Sequence, residues 1–301
     1  MSVVIVGSVA YDGVETPHGR VERMLGGACT YIALASSYFA KTHIVAVVGD
    51  DFANEDEKLL ADHGIGLEGL ERVPGKTFYW AGVYSHDMNE RTTLRTDLNV
   101  FANFNPKLPE NYRQAPYLIL GNIQPALQRS VRNQMNGLRL TGGDTMNYWI
   151  NDYRAELLET IRDWDFLLIN DSEARMLSGV YNLKRAAAKI FEMGPRTLVI
   201  KRGEYGAMLV HQNRSFSVPA FPLEAVHDPT GAGDSFAGGF MGYLATARKV
   251  DDAALRRAMV YGSVMGSFAV EKFGLDRLRA LKKSEISARA RHFHKMTQFS
   301  L

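Results

Sequence analysis

From Val3 to Val9 the chain carries an apolar, largely β-branched run that ends among small residues, the pattern of a strand buried on both faces of a parallel sheet. Between Gly27 and Ala40 the apolar positions Ile32, Leu34, Ala35 and Phe39 recur at helical spacing, and a second short apolar run follows from His43 to Val48. These three segments predict a β-α-β unit. Further apolar runs at Tyr117–Leu120, Asp165–Ile169 and Thr197–Ile200 are separated by helix-like stretches, so the alternation extends through most of the chain and the fold class is α/β. Two segments break the rhythm. Residues 12–25 and about 67–104 lack helical periodicity and contain β-rich stretches, Thr77–Ser85 and Arg91–Val100, in which polar and apolar positions alternate. They predict a small β-sheet inserted at one edge of the core, covering the crevice at the carboxyl ends of the strands as a lid. No repeat, low-complexity tract or Pro/Ser-rich linker marks a boundary, so residues 1–301 are expected to form one domain with that lid inserted.

Composition narrows the partners. Thirty-five Lys and Arg against 33 acids leave a net charge of +2, without the concentrated basic field of a nucleic-acid binder. The basic residues between Asp276 and Lys295 are interleaved with Leu278, Leu281, Ile286 and Phe293, which fits a solvated helix with an inward stripe. A single cysteine, Cys29, excludes a disulfide-stapled scaffold and fits a reducing cytoplasm. The N-terminal apolar run is too short for a signal segment or a membrane span.

The chemistry concentrates in Val226–Leu244, VHDPTGAGDSFAGGFMGYL. Gly231, Ala232 and Gly233 precede Asp234, and Phe236, Phe240, Tyr243 and Leu244 follow at the spacing of a helix's buried stripe, so the glycines open a helix. The first N–H groups of a helix lack intrahelical partners and lie at the positive end of its dipole, a site for anionic oxygens. A carboxylate beside such a site is poorly explained by anion binding alone. It suits phosphoryl transfer, in which a general base takes the proton of the attacking hydroxyl. Other motifs fail: Gly75-Lys76-Thr77 has Leu70 where a P-loop needs glycine, and no dinucleotide fingerprint follows Gly7.

The segment Asp228–Phe240 resembles the C-terminal signature of the ribokinase/PfkB family of carbohydrate and nucleoside kinases. Gly26 and Gly27 in LGGACTYIALASSYFA are similar to the family's N-terminal Gly-Gly element, and Asn170–Glu173 in LLINDSEARML to its N-x-x-E element, in the same order along the chain. The resemblance implies a ribokinase-like three-layer sandwich around a mostly parallel sheet, and an ATP- and Mg²⁺-dependent kinase acting on a hydroxymethyl group of a sugar or nucleoside. It further implies that Gly231, Ala232 and Gly233 form the anion hole for the transferred phosphate and that Asp234 is the base. Asn170 and Glu173 would hold Mg²⁺ through water. Lys201, Gly203 and Gly206 in VIKRGEYGA would contact nucleotide phosphates, with Gly262 near the adenine. Asp228, Thr230, Ala269 and Gly274 match positions that bind a monovalent cation, K⁺, in several members.

On the acceptor side the resemblance points to Asp12, Gly26 and Gly27, and to Asp144 and Asn147 in GGDTMNYWI. Tyr31 departs from the Asn that contacts the sugar in ribokinase-like members, which weakens the case for free ribose. Alternation puts Phe78, Trp80 and Tyr84 on one lid face, where Trp80 could stack on a nucleobase. An adenosine-type nucleoside, a phosphosugar met by Arg91 and Arg95, and a non-catalytic sensor of nucleotide or sugar stay open as alternatives. The exposed edges of the lid sheet leave a homodimer through the lid as the expected assembly.

Overall fold

The computed structural model describes residues 1–212 and 214–298. Strand β1 (Ser2–Val6) is followed by a hairpin, β2 (Ala10–Thr16) and β3 (Gly19–Gly26), then by helix α1 (Ala28–Ser37), β4 (Lys41–Val48), α2 (Asn54–Asp62) and β5 (Ile65–Arg72). A second hairpin, β6 (Phe78–Tyr84) and β7 (Arg91–Asp97), precedes β8 (Tyr117–Leu120), α3 (Pro125–Gln134), β9 (Leu140–Asp144), α4 (Asn147–Asp152) and α5 (Arg154–Ile161). The rest runs β10 (Phe166–Asn170), α6 (Asp171–Ser178), α7 (Leu183–Phe191), β11 (Thr197–Lys201), β12 (Ala207–His211), β13 (Arg214–Val218), α8 (Ala232–Leu244), α9 (Asp252–Ala269) and α10 (Lys283–Thr297).

Nine strands form the main sheet in the order β13-β12-β11-β10-β9-β8-β1-β4-β5. It is parallel except where β12 and β13 turn back antiparallel beyond β11. The central strands are apolar on both sides because both faces are covered. Val3 and Ile5 of β1 pack with residues of α1, α2, α8, α9 and α10, whereas Val4 and Val6 pack with residues of α3 to α7. This is the three-layer α/β sandwich expected from the alternation. No helix among the described residues is long and apolar enough to cross a membrane.

The lid is a separate four-stranded sheet in the order β3-β2-β6-β7, with β2 and β6 parallel and the two hairpins antiparallel. Its second segment starts at Phe78 rather than near 67. Residues Ile65–Arg72 pair in parallel with β4 and form the edge of the main sheet, since the short α2 returns the chain to that edge. At the C-terminus Arg277 pairs with Glu271 and Glu285, and Arg289 with Glu271, so these basic residues are compensated locally.

Candidate active site

The parallel strands deliver side chains to one rim of the sheet. Asp144, Asn170 and Lys201 are the last residues of the neighbouring strands β9, β10 and β11; Asn170 lies directly beside Lys201, and Asp144 beside Leu168. The helices that begin at this rim are capped differently. Ser8 takes the N–H of Ala28 on its Oγ at 3.1 Å and that of Cys29 on its carbonyl at 2.9 Å. Asn170 and Glu173 form a reciprocal capping box on α6, each side chain accepting the other's backbone N–H at 2.7 and 2.8 Å. Helix α8 has no side-chain cap, and among the described residues the N–H groups of Gly233 and Asp234 have no acceptor. Two bare amides at the positive end of a 13-residue helix make the anion site expected from the glycines.

Gly231 sets that opening. Its φ of 72° lies in the left-handed region, and a Cβ there would sit 2.4 Å from the ring of Tyr31, which is 1% exposed. Asp228 holds the loop from below: its carboxylate accepts the N–H of Thr230 at 2.8 Å and that of Gly274 at 2.9 Å, tying the α8 entry to the turn after α9. Ala269 ends α9 beside these bonds, since the Val270 carbonyl accepts the N–H of His227. The four residues expected at a monovalent cation therefore converge.

Charge converges on the same point. Asp234 carries a carboxyl pushed above its ordinary range by burial, opposed by Lys201 and then Arg91. Lys201 belongs here by contact as well, because a Cβ on Gly233 would lie 2.9 Å from its Nζ. Burial also raises Asp144, with Asp234 adding repulsion and Lys201 opposing, and it raises Glu173, opposed first by Lys201. Asp12, 5% exposed, is pushed up to about 7 by burial, opposed by the Gly27 N–H 3.4 Å away and reinforced by Asp228 and Asp234. A Cβ on Gly26 would lie 2.0 Å from the Asp12 carboxylate, so this Gly-Gly pair makes room for Asp12. Asp144 Oδ1 and the Tyr31 hydroxyl are buried without partners. Donors and unpaired acceptors around one cleft suit a ligand with several hydroxyls beside an anionic group.

The lid closes the other side. Asp12 is in register with Trp80 across β2 and β6. The Tyr84 hydroxyl lies 3.1 Å from Thr230 Oγ1, and at the tip Asn89 donates to Glu204 at 3.3 Å, beside the turn of Gly203 and Gly206. The hairpin thus spans from the α8 loop to the end of β11.

Not every expected residue arrives. Asn147 is exposed, and its Oδ1 accepts the N–H of Tyr148 at 3.0 Å. Gly262 is packed against Phe236, whose ring a Cβ would meet at 3.0 Å, so it serves the contact between α8 and α9. Phe78 stacks on Phe101 with centroids 5.2 Å apart. Arg95 pairs with Asp97, whereas Arg91 takes a different place. It stands opposite Tyr84, and its charge is felt by Asp12, Glu173 and Asp234.

A doubly covered parallel sheet, an uncapped helix N-terminus with an adjoining carboxylate, and a β lid define a phosphoryl-transfer enzyme of the ribokinase type. The sequence pattern described as "pfkB family carbohydrate kinase" matches residues 2–279, and the chain belongs to that family. It is 30% identical over 258 residues to a cytidine kinase of Thermococcus kodakarensis, covering 84% of this chain and 91% of that protein. An inositol 3-kinase of Arabidopsis thaliana is 33% identical over 289 residues, 90% of this chain and 74% of that one. Aminoimidazole riboside kinase from Salmonella enterica, solved with aminoimidazole riboside and an ATP analog, superposes with a TM-score of 0.75 at 20% identity, over 96% of this chain and all of that one.

Proposed function

We propose that this kinase transfers the γ-phosphate of ATP to the hydroxymethyl group of a nucleoside. The observation that carries the reading is the uncapped start of α8, where the Gly233 and Asp234 amides have no acceptor among the described residues, beside the Asp234 carboxylate. As the acceptor oxygen bonds to the γ-phosphorus and the bond to the β,γ-bridging oxygen breaks, Asp234 takes the acceptor's proton. The raised basicity of that carboxyl suits this role, because a base works best as its affinity for protons nears the working pH. The free amides of Gly233 and Asp234 stabilise the charge that develops on the phosphoryl group, the N–H of Ala232 being taken by the Pro229 carbonyl, and the lid keeps water out. Lys201, with the turn at Gly203 and Gly206, receives the other phosphates.

Mg²⁺ fits the residues present. The capping box uses one oxygen of Glu173 and leaves the other for a hydrated cation, while Asn170 orients it. Magnesium keeps most of its waters and, when bound with nucleotide, supplies charge neutralisation for the phosphates. Asp228, Thr230, Ala269 and Gly274 would accommodate K⁺.

Asp12 and Asp144 are the acceptors for the hydroxyls of the sugar, and Trp80, level with Asp12, offers an aromatic surface for the base. The similarity to a cytidine kinase supports a nucleoside. The similarity to an inositol kinase favours a second reading, a cyclic polyol held by the same carboxylates. A coupled kinase assay across nucleosides, sugars and inositols, with and without potassium, separates these. Asp234→Asn should fold and bind ATP but lose most turnover, and near-wild-type kcat in that variant would refute the assigned role.

A further inference from the structure

The loop between β4 and α2 reaches the lid, and Asp51 within it grips two lid strands at once. Its Oδ1 accepts both the N–H and the hydroxyl of Thr77, each at 2.7 Å, just before β6 begins. Its Oδ2 accepts from the Arg23 guanidinium of β3 at 3.1 Å, and its carbonyl accepts from the same group at 3.2 Å. Thr77 is 2% exposed, and its hydroxyl also accepts the N–H of Gly49, so both of its hydrogen-bonding roles are used at this joint. Strand β2 lies between β3 and β6, and Asp12 on it is in register with Met24 on one side and Trp80 on the other. The two gripped residues, Arg23 and Thr77, thus sit just before the neighbours of Asp12 on either strand. The same loop and the start of α2 also hold β2: Tyr11, next to Asp12, donates to Asp56 at 2.7 Å and accepts the Ala53 N–H at 2.9 Å, with the Arg23 guanidinium 3.6 Å over its ring. Burial disfavours the charge on Asp51, but the bonds from Thr77 and the charge of Arg23 outweigh it and hold the carboxyl below its ordinary range.

We propose that Asp51 is a positioning residue for the acceptor: by tying β3 and the start of β6 to the body, it fixes where the strand between them, β2, carries Asp12 over the cleft. The inference rests on the proposed acceptor site at Asp12 and on no particular acceptor. The two grips are unequal. The Arg23 end is a half-exposed ion pair, and pairs of that kind contribute little. The Thr77 end is a pair of charge-assisted bonds from a buried residue, and bonds of that kind are the strong ones. Thr77 accordingly decides where β6 starts, and Arg23 adds a weaker hold on β3. Asp12 and Trp80 ride on the lid, whereas Lys201 and the α8 amides belong to the body. Loosening the root of the lid should therefore disturb the acceptor and leave the nucleotide where it is.

The test compares the wild type with Thr77→Val, Thr77→Ser, Asp51→Asn and Arg23→Met. Thr77→Val takes the hydroxyl from both Asp51 and Gly49 and should raise the acceptor KM by about tenfold or more, the factor usual for a hydrogen bond to a charged group. The KM for ATP should not change. Thr77→Ser keeps both bonds and should restore the wild-type acceptor KM. Asp51→Asn weakens the bonds from Thr77 without removing them and should give a smaller rise of the same kind, so it carries the comparison if Thr77→Val does not fold. Arg23→Met should have the least effect of the four changes that break a contact or weaken one, Thr77→Ser aside. Amide hydrogen exchange of the unliganded protein should show β2 and β6 opening faster in Thr77→Val and as slowly as wild type in Thr77→Ser. An unchanged acceptor KM in Thr77→Val, a rise shared equally by ATP, or a Thr77→Ser variant no better than Thr77→Val overturns the proposal. An unchanged acceptor KM in Asp12→Asn would instead fault the acceptor site, and exchange at β2 in Thr77→Val then decides whether Asp51 holds that strand: faster exchange supports the root, and wild-type exchange removes it.

Discussion

Replacing Asp12 by asparagine should make the protein more stable and less active, and the size of the gain should depend on pH. Asp12 is buried, accepts one long bond from Gly27, and feels Asp228 and Asp234; burial is the largest of these influences and its pKa is displaced from 3.8 to about 7. For an acid whose folded-state pKa is raised, the unfolded chain releases its proton first. Stability from this group is therefore full below 3.8 and declines as pH rises to about 7, by about 4 kcal/mol in all. About 3 kcal/mol of that falls between pH 5 and pH 8. Asparagine keeps an oxygen for the Gly27 N–H and does not titrate. Thermal unfolding of both proteins at pH 5 and pH 8 should show the variant's Tm gaining on the wild type by about 6 °C across that interval, at ~2 °C per kcal/mol for a chain of this length. The same substitution should abolish the rise in kcat/KM for the acceptor that accompanies ionisation of Asp12 near pH 7. Tm curves that stay parallel with pH would show that the carboxyl is not held protonated by its surroundings, and the argument from burial would fail.

The other predictions concern the α8 entry and the metal position. Gly231→Ala should lower stability by about 2 kcal/mol or more, from the left-handed backbone and the approach to the Tyr31 ring, and should remove most activity; a Tm within a degree of wild type would contradict the steric reading. Glu173→Gln should raise the Mg²⁺ concentration needed for half-maximal rate, with a stability loss of about 1 kcal/mol or less from the weakened capping box. An unchanged magnesium midpoint alongside that loss would reduce Glu173 to its cap.

The parts legible in the sequence are those whose reason is local. The glycines of 231–233 and the helical stripe from Phe236 are contiguous, so a helix opened by glycine follows from the string alone, and Asp234 comes with it. Asn170 and Glu173 are visible as a strand-to-helix turn for the same reason. What is hidden depends on pairing. Residues 67–72 fall inside the expected lid segment, and only the register of β5 with β4 assigns them to the main sheet. Alternation places Phe78 with Trp80 and Tyr84, yet the stack on Phe101 claims Phe78 for packing. Arg91 and Arg95 are separable only through the register, which shifts between Ala81 and Gly82 and leaves Arg91 facing the cleft while Arg95 turns to Asp97. Asn147 and Gly262 occupy motif-like positions, and the contacts that the fold gives them lie within α4 and between α8 and α9 respectively.

Register also decides the charge balance, and the balance constrains how the site can work. Asp12, Asp144, Glu173 and the pair Asp228 and Asp234 come together from four separate parts of the chain, and among the described residues only the side chains of Lys201 and Arg91 bring opposing charge. With every carboxyl ionised the cleft would be net negative, a poor receptor for a polyphosphate by itself. The fold relieves this by keeping some of the acids protonated, which is the common meaning of their raised pKa values. A magnesium ion arriving with the polyphosphate adds positive charge beside Asp144 and Glu173 and favours the ionised form of Asp144, whose carboxyl burial raises well above its ordinary range. Binding of nucleotide with Mg²⁺ at neutral pH should therefore release protons, whereas nucleotide without the metal, which brings only negative charge, should not. Calorimetry in buffers of different ionisation enthalpy measures that release directly. Binding of ATP with Mg²⁺ that is independent of buffer would mean that the carboxyls were already ionised, and that burial does not govern this site.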